Sequence, residues 1–336
     1  MKALLLPLLL ISVVACSDNS GEQALKDYQQ RIERVLNLDA ESTGLKPVQP
    51  LIAIRDLKQT PTDIRLDLSD AYATRQCGLD QLIGERNSSL GRLYSPSKLL
   101  HYELRLLSAL ENCLSQSWQD TALQQTLQDA YKAKQADINV SVQNMLLTDS
   151  ALRKELIGTA KTLPLQAAGF TETWQALTTL NQLTDYIADK NWAAASDINI
   201  EQQLQQLYHY NFIGRLQYSL RISAHQLQQI NNLLQPISAD SLCANQRETE
   251  QLSILSNVFQ KYYIAKIQPY IGQLNDYQQQ LMPLINNLYN DSPITPMLEQ
   301  RFVASHLQMR QQLTQHVTWW QQLNNSCPIK LQATEN

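Results

Sequence analysis

From Leu66 to about residue 325 the chain offers little that would stop a helix. Nine glycines are spread over 336 residues, while leucines and glutamines recur at spacings of three and four. Glutamine makes up about 12% of the chain, dispersed among leucines, which reads as solvated helix faces and not as a low-complexity tract. Straight-chain residues lose little rotamer freedom in a helix. The expectation is an all-α fold: an elongated multi-helix bundle with long antiparallel helical hairpins. Apolar periodicity places helices near 22–38, 67–93, 97–117, 119–147, 149–161, 170–190, 199–234, 245–290 and 294–325. Leu25, Tyr28, Ile32 and Leu36 share one face of the first. Pro269 and Pro283 should kink or split the helix over 245–290, and Asp291-Ser292-Pro293 marks a turn before the last. The stretch 39–65 carries Gly44, Pro47, Pro50 and Pro61 and breaks the pattern. Its apolar patch Leu51-Ile52-Ala53-Ile54 should lie extended against the helical body. No repeat of fixed period is visible.

The N-terminus is of another kind. Leu4 to Val14 is an apolar run of about 12 residues, short of the roughly 20 a membrane-spanning helix needs. With Lys2 ahead of it and small residues at its end, it reads as an export signal. Val13-Val14-Ala15-Cys16 resembles the lipobox of bacterial lipoproteins, which implies cleavage before Cys16 and lipid, palmitate included, on that cysteine. The expected organisation is a signal peptide over 1–15, a lipidated cysteine and tether over 16–22, and a single helical periplasmic domain over 23–336. Gram-negative lipoproteins with Asp directly after the cysteine usually stay in the inner membrane. Here Ser17 takes that place and Asp18 follows, so the resemblance implies the inner leaflet of the outer membrane, facing the periplasm. Cleavage would leave 321 residues with 26 basic and 31 acidic side chains. A net charge of −5 without a basic cluster argues against a nucleic-acid partner.

Residues 66–117 permit a sharper inference. Ser95-Pro96-Ser97 looks like a turn between two helices, with proline in the first turn of the second. Across such a hairpin, residues whose numbers sum to about 190 should meet. Cys77 pairs with Cys113, Gly84 with Leu106 and Gly91 with Leu99, and each set of three is spaced by seven like a coiled-coil seam. A Cys77–Cys113 disulfide is therefore expected, which leaves Cys243 to pair with Cys327; four cysteines allow three connectivities. The same register points Glu103 inward, opposite Asn87 and Ser88 and near Arg86, which shares a stripe with Leu79, Ile83, Leu90 and Leu93. A buried carboxylate must be paired or hydrogen-bonded. The plain reading of Arg86, Asn87, Ser88 and Glu103 is a structural polar cluster; the functional one is a pocket or general acid at Glu103.

This region also carries a family resemblance. Gln76-Cys77-Gly78-Leu79, Gly84-Glu85-Arg86-Asn87-Ser88-Ser89-Leu90-Gly91-Arg92, Tyr102-Glu103-Leu104-Arg105 and Cys113-Leu114 are similar to an uncharacterised bacterial lipoprotein family, the domain-of-unknown-function family numbered 3080. The resemblance extends in outline over the mature chain. It implies an envelope lipoprotein and transfers no catalytic residue.

Other signals are weaker. Ser95-Pro96-Ser97-Lys98 matches the Ser-x-x-Lys of penicillin-recognising enzymes, but their downstream Ser-Asp-Asn and Lys-Thr-Gly are missing. Glu41-Ser42 resembles the acid dipeptide of helical lytic transglycosylases, without the surrounding aromatic and glycine pattern. His101, His209, His225, His306 and His316 include no i, i+3 or i, i+4 pair, so neither a metal nor another cofactor is expected. Neighbouring helix residues cannot both face one core, so one of Trp319-Trp320 should be exposed or half exposed. Packing between helices is the plainer reading of the pair and an interaction surface the functional one. The reading is a non-enzymatic, lipid-anchored binding, assembly or scaffold factor with an envelope protein or the cell wall as partner. The alternatives are a glycan- or peptidoglycan-acting protein using a buried carboxylate and a carrier of lipid or small apolar ligands.

Overall fold

The structure, a computed structural model, describes residues 20–41, 43–62, 68–243 and 247–327. Cys16, Ser17 and Asp18 lie outside the described residues. Among the described residues all regular structure is helical, and no helix is long and apolar enough to cross a membrane. The elements are α1 (Gly21–Leu36), α2 (Ile54–Leu57), α3 (Leu68–Ala73), α4 (Leu79–Asn87), α5 (Pro96–Leu114), α6 (Thr121–Thr148), α7 (Ser150–Ile157), α8 (Phe170–Ala188), α9 (Trp192–Asp197) and α10 (Ile200–Tyr210). They continue as α11 (Phe212–Leu234), α12 (Ala239–Leu242), α13 (Glu250–Val258), α14 (Gln268–Leu288), α15 (Thr295–Leu298) and α16 (Ser305–Ser326). Seven of the sixteen begin at a short polar side chain that takes up an orphan N–H of the first turn. Ser20, Ser95, Asp120, Asp149, Asn191, Asn199 and Thr249 all do so.

α11 is the axis of the molecule. Phe212, Leu216, Leu220, Leu227, Ile230 and Leu234 are buried along it, and so are Gln217, Ser219, Ser223, Gln226 and Asn231 on its other sides. α16, α1, α7, α14 and α8 pack around it. A smaller cluster of Leu79, Tyr102, Leu106, Leu110, Cys113, Leu123 and Leu127 forms a satellite core. α5 joins the two, because Leu100, Leu104 and Leu107 on its other face belong to the main core.

The long helices near 97–117, 119–147 and 170–190 stand close to where periodicity placed them, as α5, α6 and α8. The stretch 199–234 divides at Asn211, whose left-handed backbone (φ 46°) ends α10. Within 245–290, a π-helical segment, Phe259–Ile267, lies just ahead of Pro269. A proline offers no N–H and its ring crowds the carbonyl four residues back, so the helix widens before it. Pro283 stays inside α14.

The helix expected over 67–93 is not continuous. It breaks at Gly78 (φ 75°), and α4 stops at Asn87, where the Ser88 hydroxyl donates to the Glu85 carbonyl. The seam of sevens therefore fails beyond its cysteine end. A Cβ on Gly84 would meet nothing within 4 Å, and one on Gly91 would strike the carbonyls of Glu85 and Arg86 instead of α5. Leu90 and Leu93, placed on the buried stripe, are 76% and 81% exposed.

Both expected disulfides are present: Cys77–Cys113 and Cys243–Cys327, with Cα atoms 5.3 and 5.7 Å apart. The second joins the residue after α12 to the residue after α16. They close loops of 36 and 84 residues, each worth about 4 kcal/mol in the chain-entropy account. Peptide mapping without reductant is expected to recover these two cross-linked pairs and no Cys77–Cys243 or Cys77–Cys327 peptide. Reduction should lower the melting temperature.

Candidate functional site

Glu103 is buried, as its stripe requires, but its partner is on another helix. Lys134 of α6 places its ammonium 2.9 Å from both carboxylate oxygens. Lys134 continues the buried stripe Leu123, Leu127, Ala130 of α6, so each charge sits on an apolar stripe and the two neutralise one another. The rest of the expected cluster is dispersed because α4 ends early. Arg86 donates to the Gly91 carbonyl at 2.7 Å, while Asn87 and Ser88 are exposed. Glu85, not Glu103, fastens α4 to α5. It accepts from Tyr94 at 2.6 Å and Arg105 at 3.1 Å, and the Tyr94 bond leads the effects that hold its carboxyl below the usual value. Ser95 caps α5 at the Lys98 N–H, which accounts for Ser95-Pro96-Ser97-Lys98 as a helix start.

Trp320 does not belong to a surface. It is 2% exposed and stacks on Phe259 with ring centres 4.0 Å apart; Trp319 is half-buried, edge-on to it. The Trp320 indole N–H donates to His316 Nε2 (3.2 Å), and Tyr28 O–H lies 3.0 Å from the same nitrogen. An indole can only donate, so Nε2 carries the lone pair and Nδ1 carries the proton, facing Asn231 Oδ1 at 3.0 Å. The Asn231 amide in turn donates to Gln312 (2.9 and 3.0 Å). Burial pushes the His316 pKa down to about 3, so the ring is neutral and the network ties α1, α11 and α16 together. Met309, Gln312, His316, Trp320 and Leu323 form one stripe at spacings of three and four, a signal the sequence does carry.

Two further buried ionisable side chains, not paired with each other, meet backbone groups at α7. Glu155 of α7 is 1% exposed and accepts from the Gly214 N–H (2.9 Å) in the first turn of α11. Burial raises its pKa to about 8 against the bonds from Gly214 and Ile213. Arg301, 2% exposed, donates to the Leu156 and Ile157 carbonyls where α7 ends. It follows α15 in the π-helical segment Glu299–Ala304. One short helix thus gives a carboxyl to the start of α11 and its own terminal carbonyls to an arginine.

Room for a ligand opens beside the extended strap between α1 and α2. Its contacts with the body recur every third residue. Thr43 O accepts from His225 (2.8 Å) and Gln229 (3.2 Å), Lys46 O from Arg221, Gln49 O from Arg301, and Ile52 O from Arg153 (3.0 Å). Leu45, Val48 and Leu51 are half-buried, and the residues described between them are exposed. A period of three is that of polyproline II, which fits Pro47 and Pro50. Beside the strap's first half a cleft of about 710 Å³ opens against α11 and α16. Asp39, Glu41, Arg221, His225, Asn232 and Gln308 contribute to its walls. Glu41 reaches this cleft as an exposed side chain, and Ser42 lies outside the described residues.

These features define a helical body, braced by two disulfides and crossed by an extended strap. The chain belongs to the family described as Protein of unknown function (DUF3080), whose profile matches residues 25–331. No curated protein and no solved structure matches the chain.

Two outcomes are expected of the buried carboxyl groups. Glu103→Gln strands the Lys134 ammonium where the two side chains are only 14% and 8% exposed, and should cost about 3 kcal/mol in urea unfolding. Replacing both by Met should cost far less. Glu155 has a folded pKa above its ordinary 4.5, so its contribution is full below that value and is lost as pH rises through about 8. The melting temperature of Glu155→Gln should therefore gain on that of the wild type between pH 5 and 8.

Proposed function

We propose that this chain is a lipid-tethered, periplasm-facing envelope protein that works without chemistry of its own, as a binding, assembly or scaffold factor. The observation that carries the binding role is the strap: an extended segment held by its backbone along a helical body, with an open cleft beside it. The location rests on Val13-Val14-Ala15-Cys16 after a short apolar run, and two disulfides among the described residues suit an oxidising compartment. Ser17 after the cysteine favours the outer membrane. Glycan chemistry at Glu103 finds no support, since its buried carboxylate is ion-paired with Lys134, which also hydrogen-bonds one of its oxygens.

The tether would keep the body close to the bilayer. α1 begins against the core, where Gly21 N–H donates to the Leu163 carbonyl and a Cβ on Gly21 would overlap the Tyr270 ring. At about 3.5 Å per residue, the five residues from Cys16 through Ser20 reach about 17 Å. The strap leaves the other end of α1, about 24 Å further along the helix.

Cys16→Ser tests the anchoring. The wild type is expected in the membrane fraction, and the variant in the soluble periplasmic fraction with both disulfides intact and an unchanged melting temperature. A variant that stays with the membranes contradicts the proposal.

A further inference from the structure

We infer that residues 43–52 are a peptide ligand bound in cis, and that the groove beneath them takes an extended, proline-containing segment of another protein. This rests on the reading of the strap cleft as a binding surface and is independent of the lipid anchor. The groove recognises a backbone more than a sequence. Four carbonyls spaced by three residues, those of Thr43, Lys46, Gln49 and Ile52, are each met by side-chain donors from the body. Arg221, His225 and Gln229 are four residues apart and make one ridge along α11; Arg301 and Arg153 continue the row. Any chain in the polyproline II conformation presents carbonyls at this period, and it enters the groove with its conformational entropy already reduced. The side-chain requirement is an aliphatic residue at every third place, as at Leu45, Val48 and Leu51.

The strap's hold is weak compared with its flanks. α1 buries Leu25, Tyr28 and Ile32 completely and α2 buries Leu57, whereas the strap sinks only three half-buried side chains. Its bonds to His225, Gln229, Arg221 and Arg153 lie at the exposed surface, and the one from the buried Arg301 to Gln49 O is the exception. Such a segment can leave while the body stays folded. The cleft along Asp39 to Lys46 shows that one wall of the groove is open already, so an incoming chain can engage α11 before the strap departs. Because the cis ligand is tethered, its effective concentration is of millimolar order, and it suppresses a competitor accordingly.

The test uses the full mature chain and a fluorescein-labelled synthetic peptide of residues 41–53, followed by anisotropy. In the variant Leu45→Ser/Val48→Ser/Leu51→Ser the cis ligand is weakened and the groove is untouched. It should bind the wild-type peptide at least about tenfold more tightly than the wild-type protein does. Adding Arg221→Gln and His225→Ala should abolish that gain, and a peptide with the same three serines should not bind. Where the triple variant does not fold with both disulfides, Val48→Ser alone serves, with a smaller gain in the same direction. A folded variant that binds the peptide no better than the wild type overturns the inference, and so does equal binding of the serine peptide. Loss of membrane anchoring in Cys16→Ser would leave this result unchanged.

Discussion

The burial of α11 on nearly every side is the constraint from which the rest of the structure follows. A helix this enclosed cannot leave its polar groups to water, so its two ends are met by neighbouring helices. Among the described residues, Gln217 Nε2, Ser223 Oγ and Gln226 Oε1 stay buried without a hydrogen-bond partner. The start of α11 is met by the Glu155 carboxyl, and the Ser219 hydroxyl holds the Leu163 N–H. Near the other end, Asn231 anchors the chain of bonds through His316 to Tyr28 and Trp320. The side that carries Arg221, His225 and Gln229, with the exposed Gln228 and Asn232, looks outward, and the ridge of those first three holds the strap. One helix therefore organises the core, the buried polar networks and the candidate binding groove.

Much of this was legible in the sequence where the information is local. Scarce breakers and regular leucine spacing gave the all-α class, and α5, α6 and α8 fall close to their expected limits. The two disulfides followed from a hairpin register and an even count. The register was right at Cys77–Cys113 and wrong a few turns further on. A left-handed Gly78 and the Ser88 hydroxyl end the helices there, and such local competition with the helical ladder leaves no trace in apolar periodicity. Burial of Glu103 was readable from its stripe. Its partner was sought in the adjacent helix, although Lys134 occupies an equally anomalous place on the stripe of α6.

The strap was legible only in part. Gly44, Pro47, Pro50 and Pro61 announced an extended segment, but of the patch Leu51-Ile52-Ala53-Ile54 only Leu51 is half-buried and Ile54 opens α2. The strap's donors come from α7, α11 and the π-helical segment before α16. Residues 153, 221, 225, 229 and 301 have no sequence relation that would pair them with positions 43 to 52. The same limit hid Arg301, whose role exists only because α7 ends beside it. The tryptophan pair divides as adjacent helix residues do: Trp320 turns onto Phe259, and Trp319 stays half-buried at the edge. Binding, in this account, belongs to the strap and not to the tryptophan pair.

A folded body dominated by α11 and an exchangeable strap make opposite demands on local stability. The strap's bonds to the body run through carbonyls, so its own N–H groups are not what the groove holds. Native-state hydrogen exchange resolves the two directly. The account predicts that α11 amides exchange only by global unfolding, while amides at 43–46, 48 and 49 exchange with almost no protection although α1 beside them is protected. Strap amides as slow as those of α11 would contradict it.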